Sequence, residues 1–264
     1  MLITSLQNPK VKEAVRLRDR RDRDKSGLFL IEGYRELLRA ADNGQPIETL
    51  FICSELFLGS NEETLINRIQ GSGAHVLSCS EAVFRKLSYR DRPDGLLAIA
   101  PQNRRTLDTL ALSQQPFLVV AEAIEKPGNL GTILRSSDAA AIDGLIVCDR
   151  CTDIHNPNVV RASTGTLFTV PVVEAGGDET LAWLRANDIK ILAATPSAEK
   201  EYTQVDMTGP LAIAVGTEQL GLSDKWMDHA DIQVRIPMCG VADSLNVAMA
   251  TTLLLYEALR QRRR

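Results

Sequence analysis

The stretch EKPGNLGTILRSSDAAAIDG, residues 125–144, decides how the second half of this chain is read. It opens with a Pro-Gly-Asn-Leu-Gly turn, and Asn129 is a residue type that caps a helix N-terminus by accepting a backbone N–H. Leu130, Ile133, Leu134 and Ala141 then fall on one helical face, and Gly144 supplies a stop. The spacing predicts a small apolar helix over about 130–141. One guanidinium, Arg135, sits two turns in, beside the apolar stripe. Two readings of it stand open: an exposed i,i+3 pair with Asp138, worth roughly 0.2–0.5 kcal/mol, or a functional group.

The same rhythm extends outward. FLVVAEAI precedes this helix and GLIVCD follows it, and TVPVVE, IKILAAT, LAIAVG and IQVRIPM come later, with helical stretches near 158–163 and 178–187. Near-continuous apolar strands separated by helices predict a parallel sheet covered on both faces. Ligands of such sheets sit beyond the carboxyl ends of the strands. The tips to inspect are therefore EKPGN, ATPSAEK, GTEQLGLS and PMCGVADSLN. Upstream, a basic helix over 9–24 leads into a compact α/β alternation, with strands LFLIEG, IETLFIC, HVLSC and GLLAIA and helices near 34–43, 62–70 and 80–87. The chain thus divides into an N-terminal domain over 1–106, a linker over 107–116 and a second domain over 117–264, each with its own core.

Composition bounds the function. The 264 residues are 44% apolar and 24% charged. With no apolar run of membrane-spanning length and no signal-type segment, the chain reads as cytoplasmic. Five cysteines without framework spacing read as reduced thiols. The net charge of −4 hides an uneven distribution: residues 1–25 carry eight Lys and Arg against four acidic residues, and Arg260, Arg262, Arg263 and Arg264 crowd the other end against Glu257. Two basic ends on an acidic body can place positive patches on a protein of negative total charge, or they are two solvated helix ends.

Several chemistries are disfavoured. Neither GxGxxG nor GxxxxGK[ST] occurs, so a Rossmann cofactor site or a P-loop is not expected. CDRC, Cys148–Cys151, has CxxC spacing with His155 nearby, but no second CxxC completes a ligand set, and no metal site is expected. The three histidines accompany no GxSxG nucleophile motif. Two tips remain. In AVGTEQLGLS an apolar strand stops at Gly216, Thr217 and Glu218, where a glycine lets backbone approach a ligand closely. In IPMCGVADSLN a strand ends at Ile236–Met238, turns at Gly240 and starts a helix with Asp243 or Ser244 as the expected cap. Helix N-termini and bare strand ends suit adenosyl or anionic ligands.

Taken in order, NLGTILRSSDA, VGTEQLGLS and IPMCGVADSLNVAMA resemble the three motifs of the SpoU/TrmH branch of the SPOUT RNA methyltransferases. Asn129, Gly131 and Arg135 match the N-x-G-x3-R pattern of the first, Gly216 and Glu218 the second, and Ser244 and Asn246 the third. The likeness covers roughly residues 117–264. The first hundred residues, with SLQNPKVKEAVRLR and LFLIEG, are similar to the ribosomal-protein-like α/β RNA-binding domain of many members.

The resemblance implies a C-terminal α/β-knot domain with a mostly parallel sheet and a deep trefoil knot, which strand patterning alone does not suggest. It also implies a homodimer that transfers a methyl group from S-adenosylmethionine to an RNA ribose 2′-hydroxyl. Ribosomal RNA is the leading substrate and transfer RNA the alternative; a non-catalytic RNA-binding or ribosome-assembly factor on the same fold is a third reading. By motif position, Thr195, Gly216, Thr217, Glu218, Ile236, Met238, Ser244 and Leu245 would hold the cofactor. Arg135 would act on the hydroxyl, with Asn129 and Asn246 shaping the site. Two roles for Arg135 stay open: a general base aided by an RNA phosphate, or a cation that stabilises the developing alkoxide.

Overall fold

A computed structural model of the chain describes residues 2–149, 152–217 and 219–263. They pack as two units, residues 1–103 with 153–169, and residues 104–152 with 170–264.

The first unit is built on a five-stranded mixed sheet. In chain order its elements are β1 (Leu2–Ile3), α1 (Pro9–Arg16), α2 (Arg20–Ser26), β2 (Leu28–Glu32), α3 (Tyr34–Asp42), β3 (Thr49–Ile52), α4 (Glu62–Gly71), β4 (His75–Cys79), α5 (Glu81–Leu87) and β5 (Leu96–Pro101). The strands lie in the order β1-β4-β3-β5-β2. The basic helix expected over 9–24 is two helices. Asp19 interrupts it, its side chain accepting the Arg21 N–H at 2.8 Å as the N-cap of α2.

Two of the basic residues expected to meet phosphate are used inside this unit. Arg23 is 1% exposed: its Nε donates to Asp153 Oδ2 at 2.8 Å and its Nη1 to the Leu17 and Arg18 carbonyls. Arg18 donates to the carbonyls of Lys86 and Ser88. Lys12, Arg16, Arg21 and Lys25 stay exposed.

The second unit carries the predicted parallel sheet. β6 (Phe117–Glu122) leads through α6 (Pro127–Ala139) to β7 (Gly144–Cys148). The chain then forms α7 (Pro157–Ser163), which packs with the first unit, before β8 (Val172–Ala175), α8 (Gly177–Ala186), β9 (Lys190–Ala194) and β10 (Leu211–Val215). α9 (Asp224–His229), β11 (Ile232–Val234) and α10 (Val247–Arg262) complete it. The six strands run in the order β11-β9-β10-β6-β7-β8, every neighbouring pair parallel. All residues of β6, β7 and β10 are buried, as strands covered on both faces require.

Residues 107–116, expected as a linker, belong to this unit, and Leu107 and Leu110 are buried in its core with Leu118 and Ile146. The far end of the chain is fastened as well. Gln261 Nε2 donates to the Val205 carbonyl, Arg262 donates to the carbonyls of Met207 and Gln115, and the Arg262 guanidinium lies 4.3 Å from the Phe117 ring centroid. Burial holds Arg262 below the ordinary arginine range. Arg260 pairs with Glu257 at 2.6 Å. The basic terminus thus works partly as a clasp, and Arg264 lies outside the described residues.

Candidate functional site

Three strand tips meet at the carboxyl edge of the second sheet. β9 ends at Ala194 and is followed by Thr195, β10 ends at Val215 and is followed by Gly216, and β11 ends at Val234, short of the expected strand end at Ile236–Met238; these tips and the Ile236–Met238 segment wall a cavity of about 560 Å³. Loop residues Ser244 and Leu245 and the α10 residues Val247 and Ala250 close one side. Of the eight cofactor-binding residues read from the sequence, Thr195, Gly216, Thr217, Ile236, Met238, Ser244 and Leu245 line this space, and Glu218 lies outside the described residues. Leu222, Met227, Val247 and Ala250 line it too and were not singled out. Val247 and Ala250 stand three residues apart on one helical face, a spacing that could have found them.

Gly216 is where the backbone must be bare. A Cβ there would lie 2.1 Å from the Gly221 carbonyl oxygen and 2.4 Å from the Leu222 nitrogen, inside hard-sphere contact with main chain. The tight loop that makes it so is held by two backbone hydrogen bonds, Thr217 N–H to Gly221 O at 2.9 Å and Gly221 N–H to Thr217 O at 3.0 Å. Gly221 takes φ +71°, the left-handed region that glycine enters freely. Beyond the loop, Ser223 donates through its N–H and its hydroxyl to the buried Glu122 carboxylate at 2.8 and 2.6 Å, tying the loop to the end of β6.

Apolar walls, backbone groups and few charges characterise the cavity. Among the described lining residues Asp243 alone is ionisable. Such a site suits a flat apolar ring with polar edges, held by main chain, within the size range of small-molecule pockets. The residues present fit an adenosyl group, and the missing side chain at Gly216 is what lets the 221–222 main chain close against the strand tip to form the wall.

The three candidate catalytic residues are only partly assembled. Asn129 and Asn246 meet, Asn246 Nδ2 donating to Asn129 Oδ1 at 3.1 Å. Neither cap falls where the sequence put it. α6 starts three residues early, with Pro127 in its first turn and Asn129 inside the helix, because a proline that lacks an N–H fits the first turn at no loss. The cap of α10 is Asn246, whose Oδ1 accepts the Ala248 N–H at 3.0 Å, and not Asp243 or Ser244, which stay in the cavity wall. α6 stops at Ala139, and the left-handed Ala141, φ +51°, makes the turn that Gly144 was expected to make.

Asn129 and Asn246 therefore join the N-termini of two helices, α6 and α10, which also share a 2.6 Å hydrogen bond between Ser136 and Thr252. Asn129 Nδ2 is buried and has no partner among the described residues. Arg135 lies on the exposed face of α6, about 9 Å further along the axis. It forms no hydrogen bond or ion pair with a described residue, so the Asp138 pair is not formed.

Among the described residues no group of three or more His, Cys, Asp and Glu is placed to hold a metal ion. Burial pushes the Cys148 thiol up to about 12 and Cys79 up to about 11; it also raises Cys53. Cys151 lies outside the described residues. Cys239, next to Met238 in the cavity wall, is exposed. A maleimide followed by peptide mapping is expected to modify Cys239 well ahead of Cys53, Cys79 and Cys148, and S-adenosylmethionine is expected to slow that reaction. Comparable rates at Cys148 would contradict its burial.

Comparison with known proteins gives a consistent result. Residues 116–256 match the family model described as SpoU rRNA Methylase family, and residues 8–98 match one described as an MRM3-like substrate binding domain. A 23S rRNA (uridine(2479)-2′-O)-methyltransferase of Streptomyces viridochromogenes is 31% identical over 93% of this chain and 87% of its own. A crystal structure described as an RNA 2′-O ribose methyltransferase superposes with a TM-score of 0.88 at 42% identity, covering 100% of both chains. The AdoMet-bound rRNA methyltransferase from Sinorhizobium meliloti superposes with a TM-score of 0.90 at 32% identity, over 98% of this chain and 97% of the other.

Proposed function

This chain belongs to the SpoU rRNA methylase family, and from that premise we infer that the cavity at the tips of β9, β10 and β11 is where it holds S-adenosylmethionine. The protein is an S-adenosylmethionine-dependent RNA methyltransferase that methylates a ribose 2′-hydroxyl of ribosomal RNA. One observation carries the site assignment: a backbone-lined pocket whose loop leaves no room for a side chain at Gly216.

S-adenosylmethionine supplies an activated methyl group. The remaining work falls to this chain. Thr195, Gly216, Thr217, Ile236, Met238, Ser244 and Leu245 would hold and orient the cofactor, and Glu218, matched to the second motif, lies outside the described residues. The ribose 2′-oxygen would take the methyl group as the sulfur–methyl bond breaks and the sulfur keeps the electron pair, leaving S-adenosylhomocysteine, while the hydroxyl proton passes to solvent water. Arg135, a multi-donor cation, would stabilise the negative charge that develops on that oxygen. Asn129 and Asn246 fix the start of α6 against the start of α10, whose Val247 lines the cofactor cavity.

The active form is a homodimer. Met249, Leu253 and Tyr256 are 53%, 40% and 49% exposed, and their spacing lays one apolar stripe along α10. A second copy of the chain would cover it. Leu253→Asp is expected to turn a dimer into a monomer in light scattering after size exclusion, with unchanged circular dichroism. A wild-type monomer at micromolar concentration would remove this reading. The deep trefoil knot expected of the fold would involve the same C-terminal segment, whose Gln261 and Arg262 donate to the carbonyls of Val205 and Met207. No described helix is long and apolar enough to cross a membrane, and a cytoplasmic location agrees with a ribosomal RNA substrate.

The direct test uses radiolabelled S-adenosylmethionine and total RNA from cells deleted for the protein. Label is expected in ribosomal RNA and, after digestion, in a 2′-O-methylnucleoside. Label in a base, or in transfer RNA alone, would refute the assignment.

A further inference from the structure

A second cavity, also about 560 Å³, lies wholly within the first unit, and methyl transfer makes no use of it. Its walls are the first turn of α3, the loop entering α4, the 90–94 segment, and Arg161 and Thr164 at the end of α7.

Acceptors form the floor, and most are already engaged. Arg90 donates to Glu36 Oε1 at 2.6 Å, the Tyr34 N–H to Asp94 Oδ2 at 2.8 Å, and the Gly59 N–H to Glu62 Oε1 at 2.8 Å. Glu62 is only 5% exposed, yet its second oxygen has no protein partner among the described residues. At the rim the chemistry reverses. Arg35 and Arg161 are exposed and pair with no described residue, while the half-buried Tyr34 and the 82%-exposed Leu58 offer apolar faces.

A carboxylate in the floor repels phosphate and welcomes N–H donors, whereas free guanidiniums at the mouth welcome phosphate. We propose that this cavity holds one unstacked guanine nucleotide of the RNA, with the Glu62 carboxylate accepting from its Watson–Crick edge and Arg35 and Arg161 meeting the flanking phosphates. The proposal rests on RNA being the substrate. Guanine is selected because N1–H and the N2 amino group are adjacent donors. Adenine and cytosine place a lone pair beside their amino group, and uracil flanks its single N–H with two carbonyls, so each sets an acceptor against an acceptor. Splayed bases read on this edge and packed against an aromatic ring are the usual mode of single-strand RNA recognition. This nucleotide is distinct from the methylated one, whose ribose belongs at the cofactor cavity of the second unit.

The test measures fluorescence anisotropy of the full-length protein with nine-nucleotide RNAs: oligouridine, and the same strand with a central guanosine, adenosine, cytidine or inosine. The guanosine strand is expected to bind about tenfold tighter than the adenosine or cytidine strand. Inosine, which lacks the N2 amino group, is expected to fall between. Glu62→Gln should abolish the preference while leaving oligouridine affinity and S-adenosylmethionine binding unchanged. Arg161→Gln should weaken every strand alike and lower the salt slope by about one. Absence of a guanosine preference in protein that still binds and methylates ribosomal RNA would overturn this inference alone. A preference surviving Glu62→Gln would also overturn it, and failure to bind ribosomal RNA at all would remove both readings.

Discussion

Replacing Arg135 by Ala or Lys is expected to leave a folded protein that dimerises and binds S-adenosylmethionine almost normally, yet transfers methyl groups at least about a hundredfold more slowly. The size of the loss is that of a deleted catalytic group. The fold should tolerate both changes, since Arg135 is exposed and pairs with no described residue. Lysine keeps the charge but not the planar, multi-donor fork, so it should rescue little. Single-turnover rates at saturating cofactor and RNA are the measurement, with Asp138→Ala alongside. Near-normal turnover in Arg135→Ala would sink the catalytic role, and equal losses in Arg135→Ala and Asp138→Ala would point to the integrity of α6.

The second large effect is expected at Gly216. An alanine there drives its Cβ to 2.1 Å from the Gly221 carbonyl oxygen and 2.2 Å from its carbon, and main chain cannot step aside as a flexible side chain would. The loop over 217–221 must open, and with it the backbone wall of the cavity. Calorimetry is expected to show S-adenosylmethionine affinity reduced by about a hundredfold or more. Gly221→Ala is the informative partner. Nothing lies within 4 Å of a Cβ at Gly221, so that variant carries only the strain of its φ of +71°, of order 1 kcal/mol, and should bind far better. Unchanged affinity in Gly216→Ala would refute the assigned pocket.

These two residues also show what a single sequence can convey. Gly216 was legible because a parallel sheet displays ligand sites at its strand tips, and a glycine directly after LAIAV marks a place where backbone is needed bare. Arg135 stood out as a cation beside an apolar stripe, and its exposure agrees with use by something outside the fold. Other charges misled. Arg23 reads as one of a surface run, but its partner Asp153 is 130 residues away, and no local pattern announces such a pair. Arg262 likewise reads as a solvated terminus while donating to carbonyls at 115 and 207. The caps were misplaced for a nearer reason. Pro127 competes with Asn129 for the start of α6, and Asn246 serves both its own helix and Asn129, a double role visible only when the two helices are brought together. The excursion of 153–169 into the first unit escaped notice because a short helix such as α7 has the same periodicity whichever core it joins.

α10 carries a consequence for how the enzyme is made. It follows every other element along the chain, yet it supplies Val247 and Ala250 to the cofactor cavity, Asn246 to Asn129, and the clasp of Gln261 and Arg262. While a ribosome is still adding these residues, the strands already emerged have no finished place for a methyl donor. A polypeptide that stops after β11 is therefore expected to bind no S-adenosylmethionine, because the sixteen residues of α10 carry part of the cavity wall.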